Sequence, residues 1–483
     1  MKNSCCIYST GILSLVVLIV SIALVLSQVF QNAVNARIKK EIILKNGTDA
    51  FEAWENPPPP VYMQFYFFDL RNPSEVLLGE RPFVEEKGPY TYKEFRPKEN
   101  VRFSDNDTKV SATMPKTYVF VPEMSVGRRE DDPIRTVNVP AITLIEKFKT
   151  HPVISNMISS YMKSQNIGLF VTRTVHELLW GYKDPLLAVV HKVRPEIDEY
   201  FGLFYKMNTT DDGEYVVLTG EQDYKDFARI VEWRGESSLD WWTTETCNMI
   251  NGTDAASFHP LITKNETIYI FLSDLCRSLY ATFEKEVHVK GIPAYRFVPP
   301  KEVFANISVN PANAGFCVPA GNCLGSGLLN VSVCKQGAPI IMSSPHFYQA
   351  EQKYIDDVAG MNPNKEDHQT IMDINPLTGI LVRGAKRVQV NAFVEKIEAF
   401  SQTGNVSALV FPVMYLNESV EIDAKSAAKV ELLVYQANVV INIPFIIMAF
   451  GILLGVIFIV MLCKNREPEG TKEEQGPLLQ ASS

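Results

Sequence analysis

The sequence predicts a mixed α+β domain, rich in short strands, held between two membrane-spanning helices near the chain ends. Three observations predict it. Residues 439–463 run for twenty-five positions without a charge, and 7–29 form a second apolar stretch between Lys2 and Arg37. Nine Asn-x-Ser/Thr triplets and five of the eight cysteines fall between these stretches. The same region carries repeated aromatic and β-branched runs punctuated by turn residues, the signature of strands.

The C-terminal run is long enough to cross a bilayer, since about 20 apolar residues span the hydrocarbon as a helix. A buried core helix is also apolar on all faces, but this run is long for one, and Lys464 and Arg466 flank it as at a membrane exit. The N-terminal run competes with a cleaved signal peptide. It exceeds the usual apolar core of about 7–15 residues, and its positive region is Lys2 alone. Ser21-Ile-Ala23 is a poor cleavage context, so a retained anchor is expected. The expected organisation is a tail at 1–6, a span at 7–29, a loop domain at 30–438, a span at 439–463 and a tail at 464–483.

The net charge of −9 belongs to the loop, with 42 basic and 51 acidic residues, which is no footprint for nucleic acid. Hydrophobic content of 46% supports a sizeable core there. Long loops translocate largely regardless of charge, so the acceptor triplets decide the side better. They are Asn46, Asn106, Asn208, Asn251, Asn265, Asn306, Asn330, Asn405 and Asn417, and they predict a glycosylated lumenal or extracellular domain with both termini cytosolic. In that oxidising compartment Cys247, Cys276, Cys317, Cys323 and Cys334 read as disulfide formers, with one left over. Cys5, Cys6 and Cys463 lie at the cytosolic membrane face, where they are palmitoylation candidates or simply small apolar residues at helix ends.

Along the loop, Pro57 to Pro60 make a rigid extended break. Strands are expected at 61–68, from Gly88 and at 118–121. They resume at 215–218 and continue to 410–414. Residues 140–192 break this pattern. Val153, Met157, Ile158, Tyr161 and Met162 share a helix face, Pro152 suits a first helical position, and Thr174-Val-His-Glu177 has the form of a capping box. Two or three helices inserted into a β-rich domain are expected.

No catalytic signature holds. Gly325-Ser326-Gly327 lacks a glycine at 324, His176-Glu177 lacks the second histidine of a zinc helix, and Cys317 and Cys323 are spaced too widely for a metal knuckle. No enzyme, metal or cofactor is expected. In the C-terminal tail, Glu474-Gln-Gly-Pro-Leu478-Leu479 has the form acidic-x-x-x-Leu-Leu. It resembles the sorting signal that clathrin adaptor complexes read on endosomal and lysosomal membrane proteins.

Several segments carry a family likeness. Pro57-Pro-Pro-Pro-Val-Tyr-Met-Gln-Phe-Tyr-Phe-Phe-Asp69, Asn72-Pro73 and Val84-Glu-Glu-Lys-Gly-Pro-Tyr-Thr-Tyr92 resemble the start of the CD36-like scavenger receptor class B ectodomain. So do Asn313-Ala-Gly-Phe-Cys317, Ser344-Pro-His-Phe-Tyr348, Asp373-Ile-Asn-Pro-Leu-Thr-Gly379 and Phe411-Pro-Val-Met-Tyr415. The resemblance covers nearly the whole chain, anchors included. It implies an antiparallel β-barrel-like domain, capped by a helical bundle at 140–192, with an internal lipid tunnel. It implies disulfides Cys276–Cys334 and Cys317–Cys323, with Cys247 free. With the dileucine tail it implies residence in lysosome and late endosome membranes.

The lysosomal branch of the family further implies a transport receptor for β-glucocerebrosidase, bound in the secretory pathway through the bundle. The residues expected to serve are His151, Val153, Ile154, Met157, Ile158 and Tyr161, with His151 as pH sensor, since imidazole titrates near 6.5. Cholesterol or phospholipid would pass through the tunnel, and a homodimer is left open. The chain departs from the family pattern at Pro152, in its Ser-Asn-x-x-Ser-Ser run, and at Arg173, where a histidine is expected. The competing reading is a cell-surface scavenger receptor or lipid transporter for lipoprotein or phospholipid ligands.

Overall fold

The computed structural model describes residues 2–465 apart from 128. It contains two compact units, residues 38–431 and the two terminal segments together.

The larger unit is built on an antiparallel sheet of eleven strands. Nine lie side by side in the order Ile268–Leu272, Arg277–Val289, Ile292–Val298, Ile371–Ile374, Leu381–Val394, Leu409–Glu421, Val61–Leu70, Val84–Phe95 and Thr117–Phe120. Leu328–Asn330 and Ile340–Ser343 branch from Leu381–Val394. The sheet does not close. Ile268–Leu272 and Thr117–Phe120 stand at its two ends, so the expected barrel-like form is replaced by an open, long-stranded sheet. A smaller sheet of four strands lies beside it, with Lys109–Thr113 and Tyr215–Leu218 at its centre.

The expected strands at 61–68, from 88, at 118–121, 215–218 and 410–414 all lie within observed strands or overlap them closely. Val61–Leu70 alternates in burial as far as Tyr66 and is buried throughout from Phe67, and Phe65, Phe67 and Phe68 enter the core. Its aromatic and β-branched composition suits a pleated surface covered on both sides. Gly379 ends the Asn-Pro-Leu-Thr-Gly motif at φ +75°, and a Cβ there would sit 2.1 Å from the Phe258 carbonyl oxygen. Only glycine allows that turn and that approach.

The insert at 140–192 has four helices rather than two or three: Val139–Phe148, Pro152–Ser164, Val175–Trp180 and Pro185–Val193. Pro152 takes the first helical position as expected. The Thr174–Glu177 capping box forms in full: Glu177 N donates to Thr174 Oγ1 at 3.2 Å, and Thr174 N donates to Glu177 Oε2 at 2.9 Å. The strand Phe170–Thr174 interrupts the helices and pairs with Pro133–Val137, anchoring the insert in β structure.

Disulfides join Cys276 to Cys334 and Cys317 to Cys323, while Cys247 is free and buried.

In the smaller unit, Lys2–Ser27 and Ala424–Asn465 pack through small residues. Ser14 Oγ donates to the Gly451 carbonyl at 2.9 Å, and a Cβ on Gly11 would strike the Phe458 ring. Small residues let apolar helices approach where hydrophobicity alone gives no drive for them to pair in lipid. Two helices, Cys6–Glu41 and Ala424–Asn465, are long and apolar enough to cross a membrane.

Candidate functional site

Two regions of the larger unit carry features that a ligand could read. The first is the outer face of helix Pro152–Ser164. Its inner face is fixed by Met162, which is fully buried among Ile145, Ile167 and Phe400. Gln402 clamps it further, donating to the Ser159 carbonyl at 2.8 Å and accepting from Ser159 Oγ at 3.0 Å. Val153 and Met157 are then left 74% and 68% exposed, with Ile154 exposed beside them. Ile158 and Tyr161 turn the other way, half-buried against the cluster that holds Met162. The expected apolar face is therefore split: three of its side chains face solvent and two are packing.

His151 occupies the N-terminal cap of this helix without a capping bond from its side chain. Its ring is exposed, with Nδ1 3.2 Å from Thr150 Oγ1 and the plane edge-on to Phe148. Arg173 lies on a different element, with its guanidinium 4.4 Å over the Tyr182 ring.

The second region is a cavity of about 200 Å³. Apolar side chains such as Met114, Phe271, Leu279, Phe304, Met342 and Val420 line much of it. An ionic cluster stands in its wall. Arg96 Nη2 binds Glu418 Oε1 at 2.6 Å, and Lys386 Nζ binds Glu418 Oε2 at 2.6 Å and Asp274 Oδ2 at 2.9 Å. Lys386 and Glu418 are direct cross-strand partners, so the sheet register creates this pair. Burial alone would raise the Glu418 carboxyl, but Lys386, Arg96 and Lys116 outweigh it and hold it well below the usual carboxylate range. Lys386, against the desolvation of burial, does the same to Asp274. Glu94, buried beside Arg96 at 3.4 Å, is pushed up by its loss of solvent. Lys116 also lines the cavity, and its ammonium is stabilised by the surrounding carboxylates despite burial.

A second cavity of about 660 Å³ shares Gln369, Arg387 and Ser419 with the first. Its lining is basic, with Lys285, Arg296, Lys365, Arg383 and Arg387. Nothing in the sequence patterning pointed to either charge group. Their members come from distant segments, and only strand pairing assembles them.

Among the acceptor triplets, Asn46, Asn106, Asn208, Asn265 and Asn405 are exposed, and Asn251, Asn306, Asn330 and Asn417 are half-buried. Among the latter, Asn306, Asn330 and Asn417 donate through Nδ2 to Leu324 O, Val318 O and Gln64 Oε1. No cluster of His, Cys, Asp or Glu among the described residues is arranged to hold a metal. Glu474, Leu478 and Leu479 lie outside the described residues.

An anchored chain with a folded domain between two apolar helices, carrying cavities and an exposed apolar helix face, has the architecture of a membrane receptor. The family comparison agrees. The CD36 family model matches residues 12–462. Lysosome membrane protein 2 of Homo sapiens is 54% identical over 477 residues, covering 98% of this chain and 99% of that protein. The Rattus norvegicus protein of the same name is also 54% identical over 477 residues. Scavenger receptor class B member 1 of Sus scrofa is 33% identical over 456 residues, covering 93% of this chain and 88% of that protein. The chain belongs to the CD36 family, on the side of its lysosomal membrane receptors.

Proposed function

We propose that this receptor binds β-glucocerebrosidase in the secretory pathway and releases it in the acid of the lysosome. The observation that carries the reading is the juxtaposition of an exposed apolar face, Val153, Ile154 and Met157, with an exposed histidine at the same helix start. Apolar side chains left in water mark docking surfaces. Histidine is the residue type suited to place a pH-dependent charge at the rim of such a contact. Ile158 and Tyr161 support the face from below rather than touching cargo. The cytosolic tail would carry the receptor through clathrin adaptors reading Glu474, Leu478 and Leu479. The acceptor triplets would carry glycan on the lumenal side.

The test is co-precipitation of β-glucocerebrosidase with the full chain at about pH 7 and about pH 5. Wild type should hold the enzyme at the higher pH and lose it at the lower. His151→Ala should weaken that contrast, and Met157→Asp should abolish binding at the higher pH. Absence of binding by wild type at neutral pH defeats the reading.

A second activity is supported by the apolar lining of the smaller cavity. Cholesterol or phospholipid would enter it, and passage to the bilayer would need it to join a continuous tunnel. Cell-surface uptake of lipoprotein or phospholipid is the competing use of the same cavity, and the subcellular location of the chain separates the two.

A further inference from the structure

Two histidines are buried against each other in a segment whose neighbouring residues Ser344, Tyr348 and Gln369 line the cavities. His346 and His368 are each 4% exposed, and their rings stack with centroids 4.5 Å apart. In each ring Nδ1 accepts a backbone hydrogen: from Asn362 N–H at 3.0 Å for His346, and from Asn364 N–H at 2.9 Å for His368. Nε2 of His346 donates to Glu86 Oε2 at 2.6 Å, and Glu86 Oε1 accepts from Tyr415 Oη at 3.2 Å. Both rings are thereby held with the proton on Nε2. A second proton would have to sit on Nδ1, pointing at an N–H that already uses that lone pair.

The surroundings are mixed. Glu86 on Val84–Phe95 and Asp367 on the histidines' own segment favour a proton on His368, and Arg387 on Leu381–Val394 opposes it. Tyr66 and Tyr415, stacked at 4.4 Å, bring phenols from Val61–Leu70 and Leu409–Glu421. Burial, followed by the charge of His346, pushes the His368 imidazole down to about 4.

The segment these rings hold is strained. His346, Phe347 and Gln349 have φ of 52°, 58° and 63°, a left-handed conformation that non-glycine residues keep only when their surroundings enforce it. His346 N donates to Gln389 Oε1 at 2.6 Å, which ties it to Leu381–Val394. The same segment forms cavity wall. Ser344, Tyr348 and Gln349 line the smaller cavity, and Lys365 and Glu366 line the larger.

We propose that the His346–His368 stack is an acid-sensitive latch that pins residues 344–369 to the sheet and, on taking up a proton, lets that segment move and open the cavity wall. It lies against the sheet, on Phe68 and Tyr415, and needs no cargo. The direction follows from linkage. A released imidazole takes its proton near 6.5, whereas the latched His368 resists it down to about 4. The released form therefore binds more protons in that interval, and acidification favours it.

Hydrogen–deuterium exchange on the full chain in detergent tests this, at steps from about pH 7 to about pH 4.5 and corrected for intrinsic exchange. Protection of peptides covering 344–369 should fall at least about tenfold over that range, while those from 381–394 hold. His346→Gln and His368→Gln should each flatten the pH response, giving similar exchange at both ends. Where a variant does not fold, the wild-type profile decides. Unchanged protection of 344–369, or equal loss in both segments, overturns the latch.

Discussion

At the scale of single residues, the buried charges of Asp373 and of Glu418 are each held in a compensated set. Asp373 is fully buried and takes Arg296 at 2.7 Å and Arg383 at 2.8 Å, both of which face the larger cavity. Asp373→Ala would leave two guanidiniums side by side without an anion. A loss of about 3–5 kcal/mol is expected, read as a lower denaturation midpoint in the full chain. The cluster at Glu418 makes a pH prediction. Asp274 and Glu418 are depressed in the fold, so their stabilisation is complete above the ordinary carboxylate range and is lost as pH falls through and below about 4. The contribution of this cluster to the melting temperature should hold between about pH 7 and 5 and drop below about 4. Glu418→Gln should start lower and show a shallower acid decline. An identical decline in the variant would show that the cluster is not its source. Lysosomal acid therefore leaves this cluster ionised, in contrast to what is inferred for the histidine stack.

At the scale of elements, the two disulfides are unequal. Cys276–Cys334 spans a sequence separation of 58 and Cys317–Cys323 one of 6. Loop-closure entropy makes the longer bridge worth about 2 kcal/mol more. Replacing the pair Cys276 and Cys334 by alanine should lower stability by more than replacing Cys317 and Cys323, in matched thermal melts. Equal losses would mean that native packing, not chain entropy, sets their value. The capping box offers a smaller test: Thr174→Ala should cost about 1 kcal/mol. That box was readable because all its members lie within four residues, and the same holds for Pro152 and for the aromatic strand after Pro60. What the sequence hid was register. Lys386 and Glu418 are unremarkable in their own strands and become an ion pair only through antiparallel pairing. Likewise Ile158 and Tyr161 share the period of Val153 and Met157, but a hydrophobic period cannot say where the covered arc ends and the exposed arc begins.

At the scale of the whole molecule, membrane topology bears on address. Among the described residues, Cys6–Glu41 and Ala424–Asn465 are long and apolar enough to cross a membrane, and two such spans would leave both tails on one face. The two disulfides suit an oxidising compartment for the folded domain, and under the proposed function the tail on the opposite face would meet the cytosolic adaptors. The proposed sorting would then depend on the short tail that carries Glu474, Leu478 and Leu479. Leu478→Ala combined with Leu479→Ala should leave folding, disulfides and enzyme binding at neutral pH intact while moving the chain to the cell surface. Surface biotinylation and lysosomal co-localisation measure that shift. A double variant that still accumulates in lysosomes would mean that another signal supplies the address, and would remove Glu474, Leu478 and Leu479 from the mechanism.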